Sequence, residues 1–193
     1  MRRLILTLIL LCLGSQALAQ ADPVRVRLET GEGAIVVELD RARAPLTSAN
    51  FLRYVDAGLL DGANFYRAMK VGPSAGLVQG GVDPGRALTA VAHEPTTQTG
   101  LSHTEGAISL ARRAPGTATA DFFITLGDMT FLDANPAAPG DNAGFAVFGR
   151  VVEGMDVVRR ILEAPTSPTE GEGAMRGQML SPRIPIVSAR RAD

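Results

Sequence analysis

The sequence predicts a mostly β domain, built as a closed barrel whose ends are covered by helices. Apolar and polar side chains alternate at its start, as they do in a half-buried strand. Between residues 65 and 152, short apolar runs are separated by Gly, Pro, Asn and Asp, which is typical of antiparallel strands joined by turns. Two segments have helical periodicity, and neither sits in the strand–helix–strand rhythm of a parallel sheet.

The first nineteen residues have the pattern of a secretory signal peptide. Arg2 and Arg3 precede an apolar run from Leu4 to Leu13, and Ala17-Leu18-Ala19 matches an A-x-A cleavage site. The run is shorter than the roughly 20 residues of a membrane-spanning helix, so a retained anchor is the less favoured alternative. We expect residues 1–19 to be removed and residues 20–193 to form one domain, in the periplasm or outside the cell.

Composition restricts the chemistry of that domain. The only cysteine, Cys12, lies in the predicted leader, so disulfide bonds and thiol catalysis are not expected in the domain. The whole chain has a formal net charge of −1, and the leader contributes two arginines and no acid. A slightly acidic domain is not typical of nucleic-acid binding. We expect a monomer with no nucleic-acid partner and no membrane anchor after cleavage.

The predicted domain opens with a β-hairpin. Val24, Val26 and Leu28 alternate with charged residues, which gives the first strand one apolar face. Gly31-Glu32-Gly33 forms the turn, and the β-branched segment from Ala34 to Leu39 forms the second strand.

The first helix is predicted to begin near Pro45 and to stop at Gly58. Thr47 or Ser48 is expected to cap it. Its apolar face is predicted to contain Leu46, Phe51, Leu52 and Val55.

The second helix is predicted from Met155 to Glu163 and is ended by Pro165. A loop from Thr166 to Pro182 and a last strand from Ile184 to Ala189 complete the domain. The apolar face of this helix is predicted to contain Met155, Val158, Ile161 and Leu162, with Arg159 and Arg160 outward.

Six short blocks follow one another in a definite order: Phe65-Tyr66-Arg67, Gln79-Gly80-Gly81, Ile108-Ser109-Leu110-Ala111-Arg112, Asp121-Phe122-Phe123-Ile124, Phe131-Leu132-Asp133 and Phe145-Ala146-Val147-Phe148-Gly149. This set resembles the cyclophilin-type peptidyl-prolyl cis-trans isomerases, most closely their secreted bacterial members. The resemblance runs from about Val24 to Arg190. It implies eight antiparallel strands and two capping helices, a strand count that periodicity alone does not provide.

The resemblance also implies a reaction and the two residues that promote it. Rotation about an X–Pro bond must break amide resonance, at a barrier of about 18–20 kcal/mol. A donor aimed at the prolyl nitrogen stabilises the twisted transition state more than the planar ground state. Arg67 matches the family's catalytic arginine, and Gln79 matches the glutamine that holds the substrate backbone. This chemistry needs no covalent intermediate, metal or cofactor.

Further site residues follow from the same resemblance. Ala111 and Arg112 match the segment that pairs with the extended substrate backbone. Phe131 takes the position at which some members have a tryptophan. The proline pocket is implied to be lined by Leu77, Phe123, Leu132 and Phe145. Proline-containing polypeptides are therefore the expected partners.

Three features depart from the family pattern, and the first two of them motivate an alternative function. The loop from Lys70 to Ala75 is longer than usual, Gly76 stands where a pocket-lining phenylalanine is expected, and Asp121 stands where a glutamine is usual. Met69 or Val71 is expected to refill a pocket that lacks the aromatic ring. The alternative is a non-catalytic or weakly catalytic proline-peptide-binding or chaperone module on the same barrel.

Two other kinds of site are considered and disfavoured. Gly72, Ser74 and Gly76 fit the G-x-S-x-G pattern of serine hydrolases, but that elbow needs a helix after the serine, and the segment from residue 77 to 81 has a strand pattern. The dipeptide His93-Glu94 and the segment 103–105 lack the spacing of a metal site. We expect both segments in surface loops.

Overall fold

The computed structural model describes residues 23–192, which form nine strands and three α-helices. The predicted leader, with Cys12, lies outside the described residues. The strands are β1 (Val24–Thr30), β2 (Gly33–Leu39), β3 (Asn64–Lys70), β4 (Gly76–Gly81), β5 (Ala107–Leu110), β6 (Phe122–Leu126), β7 (Ala146–Glu153), β8 (Thr166–Ser167) and β9 (Met179–Ala192). The helices are α1 (Pro45–Asp56), the single turn α2 (Thr96–Thr99) and α3 (Met155–Glu163).

Eight of the strands close into a barrel. Their order is β1-β2-β7-β5-β6-β4-β3-β9, and β9 pairs back with β1, so the sheet has no free edge in this ring. Every strand pair is antiparallel. The ninth strand, β8, has two residues and pairs with β9 alone. The predicted eight-stranded antiparallel barrel with two main helices is therefore confirmed.

The two long helices bury their apolar faces against the barrel. The Phe51 ring of α1 packs against Phe122 and Phe148, with centroid distances of 5.5 and 5.3 Å. In α3, Val158, Ile161 and Leu162 are buried as predicted, whereas Met155 is only partly buried. Leu46 was expected on the apolar face of α1, and this is wrong, because its side chain is 50% exposed at the helix start.

A buried glutamate, not the predicted hydroxyl cap, satisfies the start of α1. Ala44 is the N-cap residue and makes no side-chain cap. The Glu94 carboxylate, 1% exposed, accepts hydrogen bonds from the backbone N–H of Leu46 at 3.2 Å and of Thr47 at 2.7 Å. A negative charge at a helix N-terminus is favourable because the backbone N–H groups there lack partners. The prediction that Glu94 lies in a surface loop is therefore wrong, because its side chain is buried.

The end of the chain also differs from the prediction. Strand β9 begins at Met179, five residues before the predicted Ile184, because Met179 pairs with Arg67 of β3. The expected loop thus contains β8 and a short 3₁₀ helix, Gly173–Met175. Its last residues lie next to β3. None of the helices among residues 23–192 has the length and apolar character needed to cross a membrane.

Candidate functional site

A cavity of about 600 Å³ lies against strands β3, β4 and β6, on the face turned away from the barrel core. On β6, Phe123 lines the cavity, while its neighbours Phe122 and Ile124 are fully buried in the core. On β4, Leu77 and Gln79 line the cavity in the same alternating way. The strand period of two therefore separates a core face from a cavity face.

A β-bulge turns two consecutive side chains of β3 into the cavity. Phe65 pairs with Gly80 and Arg67 with Gln79, so the register slips by one residue between them. Strict alternation would send Arg67 to the same face as the buried Phe65. Because of the bulge, Tyr66 and Arg67 both line the cavity. The bulge is what makes the arginine available to a ligand.

Three side chains hold the guanidinium of Arg67. Its Nε donates to Oε1 of Gln178 at 2.8 Å, its Nη1 donates to Oε1 of Gln79 at 2.9 Å, and its Nη2 lies 3.4 Å from Sδ of Met69. Burial lowers the pKa of Arg67 from its ordinary value. The group stays cationic because arginine titrates far above neutrality. A rigid, partly desolvated donor thus borders the cavity.

A chain of hydrogen bonds continues from Gln79 across the site. Its Nε2 donates to the Tyr66 hydroxyl at 2.6 Å, and that hydroxyl donates to Oδ2 of Asp121 at 3.1 Å. Burial raises the pKa of Tyr66 above its ordinary value, and the nearby Asp121 carboxylate adds to the effect. The tyrosine is therefore a neutral link at physiological pH. This chain fixes the amide orientation that presents Oε1 of Gln79 to Arg67.

The apolar end of the cavity is a small hydrophobic cluster distinct from the barrel core. The Phe123 and Phe145 rings meet edge to face, with centroids 5.4 Å apart. Such a cluster offers a dry surface for a flat aliphatic ring. Its members are Leu77, Phe123 and Met129, with Met69, Ala111, Leu132 and Phe145 packed against them.

Arg112 reaches the cavity, but its side chain is already engaged. The guanidinium donates to the Asp141 carboxylate at 2.6 and 2.9 Å and to the Gly144 carbonyl at 2.8 Å, and its carbon atom lies 5.2 Å from the Phe145 ring centre. These contacts anchor the loop that precedes β7, residues 141–144, beside the pocket. Ala111 lines the cavity beside it, and its N–H bonds to the Asp121 carbonyl at 2.8 Å.

Two positions lie at the edge of the pocket and do not line it. Phe131 does not line the cavity and is 66% exposed, because it lies on a 3₁₀ turn whose next residue, Leu132, points inward. Gly76 is not a missing wall either: a side chain there would place its Cβ 2.2 Å from the Met69 carbonyl oxygen. Met69, which pairs with Leu77, supplies that wall, whereas Val71 is 50% exposed.

Sequence reasoning missed the residues that the C-terminal segment brings to the site. Met175 and Met179 line the cavity, and Gln178 binds Arg67. They lie about a hundred residues from β3 in a Gly-rich segment without clear periodicity. Only the pairing of β9 with β3 brings them close, and no local pattern signals it.

A buried Ser–His–Asp network lies behind the pocket. His103 Nδ1 is 2.5 Å from Oδ1 of Asp133, and Nε2 is 3.0 Å from Oγ of Ser109. His103 and Ser109 are fully buried, and the imidazole stacks on Phe123 at 5.6 Å. The network supports the pocket wall and presents no accessible nucleophile. His103 is therefore not in a surface loop, contrary to expectation.

The G-x-S-x-G pattern does not form a hydrolase site. Ser74 lies in the exposed hairpin loop between β3 and β4 and is followed by a strand, so the nucleophile elbow is absent there. Among residues 23–192, no three His, Cys, Asp or Glu side chains are grouped as they would be to hold a metal ion.

The sequence of this chain matches a known family over nearly all of its described length. Residues 25–190 match the model of the family described as cyclophilin type peptidyl-prolyl cis-trans isomerase. A peptidyl-prolyl cis-trans isomerase of Streptomyces antibioticus is 38% identical over 84% of this chain and 93% of its own length. Peptidyl-prolyl cis-trans isomerase A of Dickeya dadantii is 34% identical over 84% of this chain and 83% of its own length.

Solved structures show the same fold. A cyclophilin type peptidyl-prolyl cis-trans isomerase of Cryptosporidium parvum covers 89% of this chain and 98% of its own, with a TM-score of 0.68 and 20% identity. A second structure of that protein, determined in the presence of the dipeptide Ala-Pro, has the same TM-score and covers 88% of this chain and 99% of its own. At this identity the likeness concerns the fold.

Proposed function

The chain belongs to the cyclophilin type peptidyl-prolyl cis-trans isomerases, and we propose that it accelerates X–Pro rotation in exported proteins with Arg67 as the catalytic donor. Isomerase activity is the activity named for its bacterial relatives. The observation that carries the proposal for Arg67 is its placement, with its guanidinium held at the border between an apolar cluster and a polar network.

Arg67 acts on the twisted amide. When the X–Pro bond rotates, conjugation is lost and the prolyl nitrogen gains a lone pair that it lacks in the planar state. A guanidinium N–H aimed at this nitrogen stabilises the transition state selectively. The neighbouring apolar cluster excludes water and so strengthens the interaction. The geometry of Arg67 is set in advance by Gln178 and Gln79, which avoids reorganisation during the reaction.

The remaining site residues bind the peptide. Gln79, besides fixing Arg67, is proposed to hold the substrate backbone, and the backbone of Ala111 and Arg112 to pair with it. Phe131, which is exposed beside the pocket, is proposed to contact the peptide outside the proline ring. The proline ring itself is proposed to rest on Leu77, Phe123, Leu132 and Phe145, all of which line the cavity. The Ala-Pro dipeptide in the experiment on the C. parvum relative is consistent with such a ligand.

A non-catalytic peptide binder loses its main support. That alternative depended on a pocket opened by Gly76 and on the enlarged loop from Lys70 to Ala75. Gly76 packs on the backbone of β3, and Met69 occupies the wall. No other observation favours a binder that lacks catalysis.

The wild-type protein is tested with a proline-containing tetrapeptide, whose cis–trans exchange is followed by NMR without a coupled protease. We expect exchange in seconds or less, against the tens to hundreds of seconds of the uncatalysed bond. A protein that binds the peptide in titration but leaves its exchange rate unchanged would be a binder, and the proposal would fail.

Export is a separate part of the proposal. The leader pattern in residues 1–19 supports cleavage near Ala19 and release into the periplasm or outside the cell. There the isomerase, which we propose to be a monomer, would assist folding of exported chains. Intact-mass analysis of the envelope and cytosolic fractions tests it. A full-length chain retained in the cytosol would contradict export but not isomerase activity.

A further inference from the structure

Asp121 is the single carboxylate among the side chains that line the cavity in the described part of the chain. Its Oδ2 accepts a hydrogen bond from the Tyr66 hydroxyl, and no donor among residues 23–192 bonds to Oδ1. No ion pair within the same residues involves Asp121. Burial is the main cause that raises the pKa of this carboxyl. A partly desolvated acid with a free oxygen therefore faces the ligand space.

The chain makes specific room for this carboxylate. A Cβ on Gly81 would lie 2.0 Å from Oδ1 of Asp121, so the missing side chain of β4 is what allows the carboxylate to lie there. The arginines of the cavity do not neutralise it. Arg67 is held by Gln178 and Gln79, and Arg112 is paired with Asp141. Arg113, the third arginine that lines the cavity, makes no ion pair with Asp121 within residues 23–192.

The position of Asp121 relative to the proline pocket follows from strand geometry. Asp121 and Phe123 both line the cavity and are two residues apart, with the core residue Phe122 between them. Two residues of strand span about 7 Å. An extended peptide that places its proline on Phe123 has its same-face neighbours at a similar spacing. The carboxylate thus faces a substrate side chain about two positions from the proline.

We propose that Asp121 makes this isomerase selective for proline segments with a lysine or arginine two residues from the proline. A cation supplies the partner that Oδ1 lacks and offsets the cost of burying the carboxylate. This inference rests on the proposed function, since it assumes that the proline ring occupies the Phe123 pocket. It names a substrate class within that function.

The test compares peptides that differ at one position, with lysine or glutamine two residues before the proline, and a second pair substituted two residues after it. Both kcat/KM and the dissociation constant are measured, at low and at high ionic strength. We expect a preference of about three- to tenfold for lysine in one of the two pairs at low ionic strength, reduced by salt.

Two variants distinguish an effect of the Asp121 carboxylate from the general electrostatic field of the protein. Asp121→Asn has the same shape and is expected to bring the lysine-to-glutamine ratio close to one. Asp83→Asn removes an exposed carboxylate beside the cavity residue Pro84 and is expected to keep the wild-type ratio. Far-ultraviolet circular dichroism and melting curves check that both variants fold.

The outcomes distinguish this inference from the proposed function. Equal affinity and equal kcat/KM for lysine and glutamine in both peptide pairs would overturn the inference while isomerase activity stands. A lysine preference retained in Asp121→Asn would overturn it as well. If no peptide is isomerised, the proposed function fails, and the inference is still judged on the affinity ratio. If no peptide binds, both fail.

Discussion

At the scale of single residues, the site depends on how Arg67 is oriented. The guanidinium has five donor hydrogens in a rigid fork, and the structure commits part of that fork to two glutamine oxygens. One of them, Gln79, belongs to the neighbouring strand, and the other, Gln178, comes from the far end of the chain. Because Gln79 and Gln178 lie on different elements, their two hydrogen bonds fix both the position and the orientation of the guanidinium.

Gln178 is therefore predicted to be a positioning residue. In Gln178→Ala the Nε–H of Arg67 loses its acceptor, and a hydrogen bond to a charged group contributes about 1.5–3 kcal/mol. If about half of this appears in the transition state, kcat falls roughly four- to thirteenfold while KM changes little, because ring binding is unaffected. Gln98→Ala, a change at an exposed glutamine of α2, is the control. Unchanged kcat in Gln178→Ala would show that Gln79 alone orients the arginine.

At the scale of elements, the β3–β4 hairpin builds one wall of the pocket. Met69 and Leu77 pair across it, and both line the cavity. Gly76 lets the two strands and α3 approach closely, since an added Cβ would also lie 3.0 Å from Cδ1 of Leu162. In this hairpin Gly76 therefore allows close packing, and Met69 lines the pocket.

This packing predicts that alanine substitution at two glycines of one hairpin changes the free energy of unfolding by different amounts. Gly76→Ala forces the backbone carbonyl of Met69 to move and should lower the free energy of unfolding by about 1–3 kcal/mol, with a parallel loss of kcat/KM as Met69 shifts. Gly72→Ala has no atom within 4 Å of the added Cβ and should stay within about 0.5 kcal/mol of wild type. Urea unfolding of both variants checks it. Equal stabilities would mean that the hairpin adapts freely.

The elements also show what the sequence could and could not predict. The first hairpin and both long helices follow from local periodicity, and the grouping of Arg67, Gln79 and Phe123 in one place follows from short blocks in a definite order. The misses share one cause. Glu94, which caps α1, and Gln178, which holds Arg67, act over 47 and 111 residues of sequence, and no local pattern records such a contact.

At the scale of the whole molecule, the His103 network links separate parts of the chain. It joins Ser109 of β5, the segment before β5 and the turn that contains Asp133. Burial lowers the pKa of His103, although hydrogen bonding to Asp133 opposes the shift. The imidazole is thus neutral in the fold and more easily protonated in the unfolded chain, whose ordinary value is about 6.5.

The lowered pKa sets the sign of a pH effect on stability. Below about pH 6.5 the unfolded chain binds a proton that the folded protein does not, so the free energy of unfolding should decrease as the pH falls from about 7.5 to 5. The raised pKa of Asp121 acts in the opposite sense, since there the folded state binds the proton more tightly. The contribution of His103 is therefore isolated as the difference between wild type and His103→Asn. If both proteins have the same pH dependence in urea unfolding, the histidine is not buried as a neutral group.

The central claim is that Arg67 stabilises the twisted X–Pro bond, and the most direct test is kcat/KM for a proline tetrapeptide in Arg67→Ala. Loss of one preorganised donor at a transition state costs about 10²–10³ in rate, and we expect a decrease of that order. Arg67→Lys should recover little, because an ammonium lacks the fork that fits Gln178 and Gln79.

Arg150→Ala serves as the matched control, since this arginine is 70% exposed on β7 and does not line the cavity. It should retain wild-type activity, while Arg67→Ala should keep a wild-type fold by circular dichroism and nearly the same melting temperature. A folded Arg67→Ala protein with the kcat/KM of wild type would contradict the account.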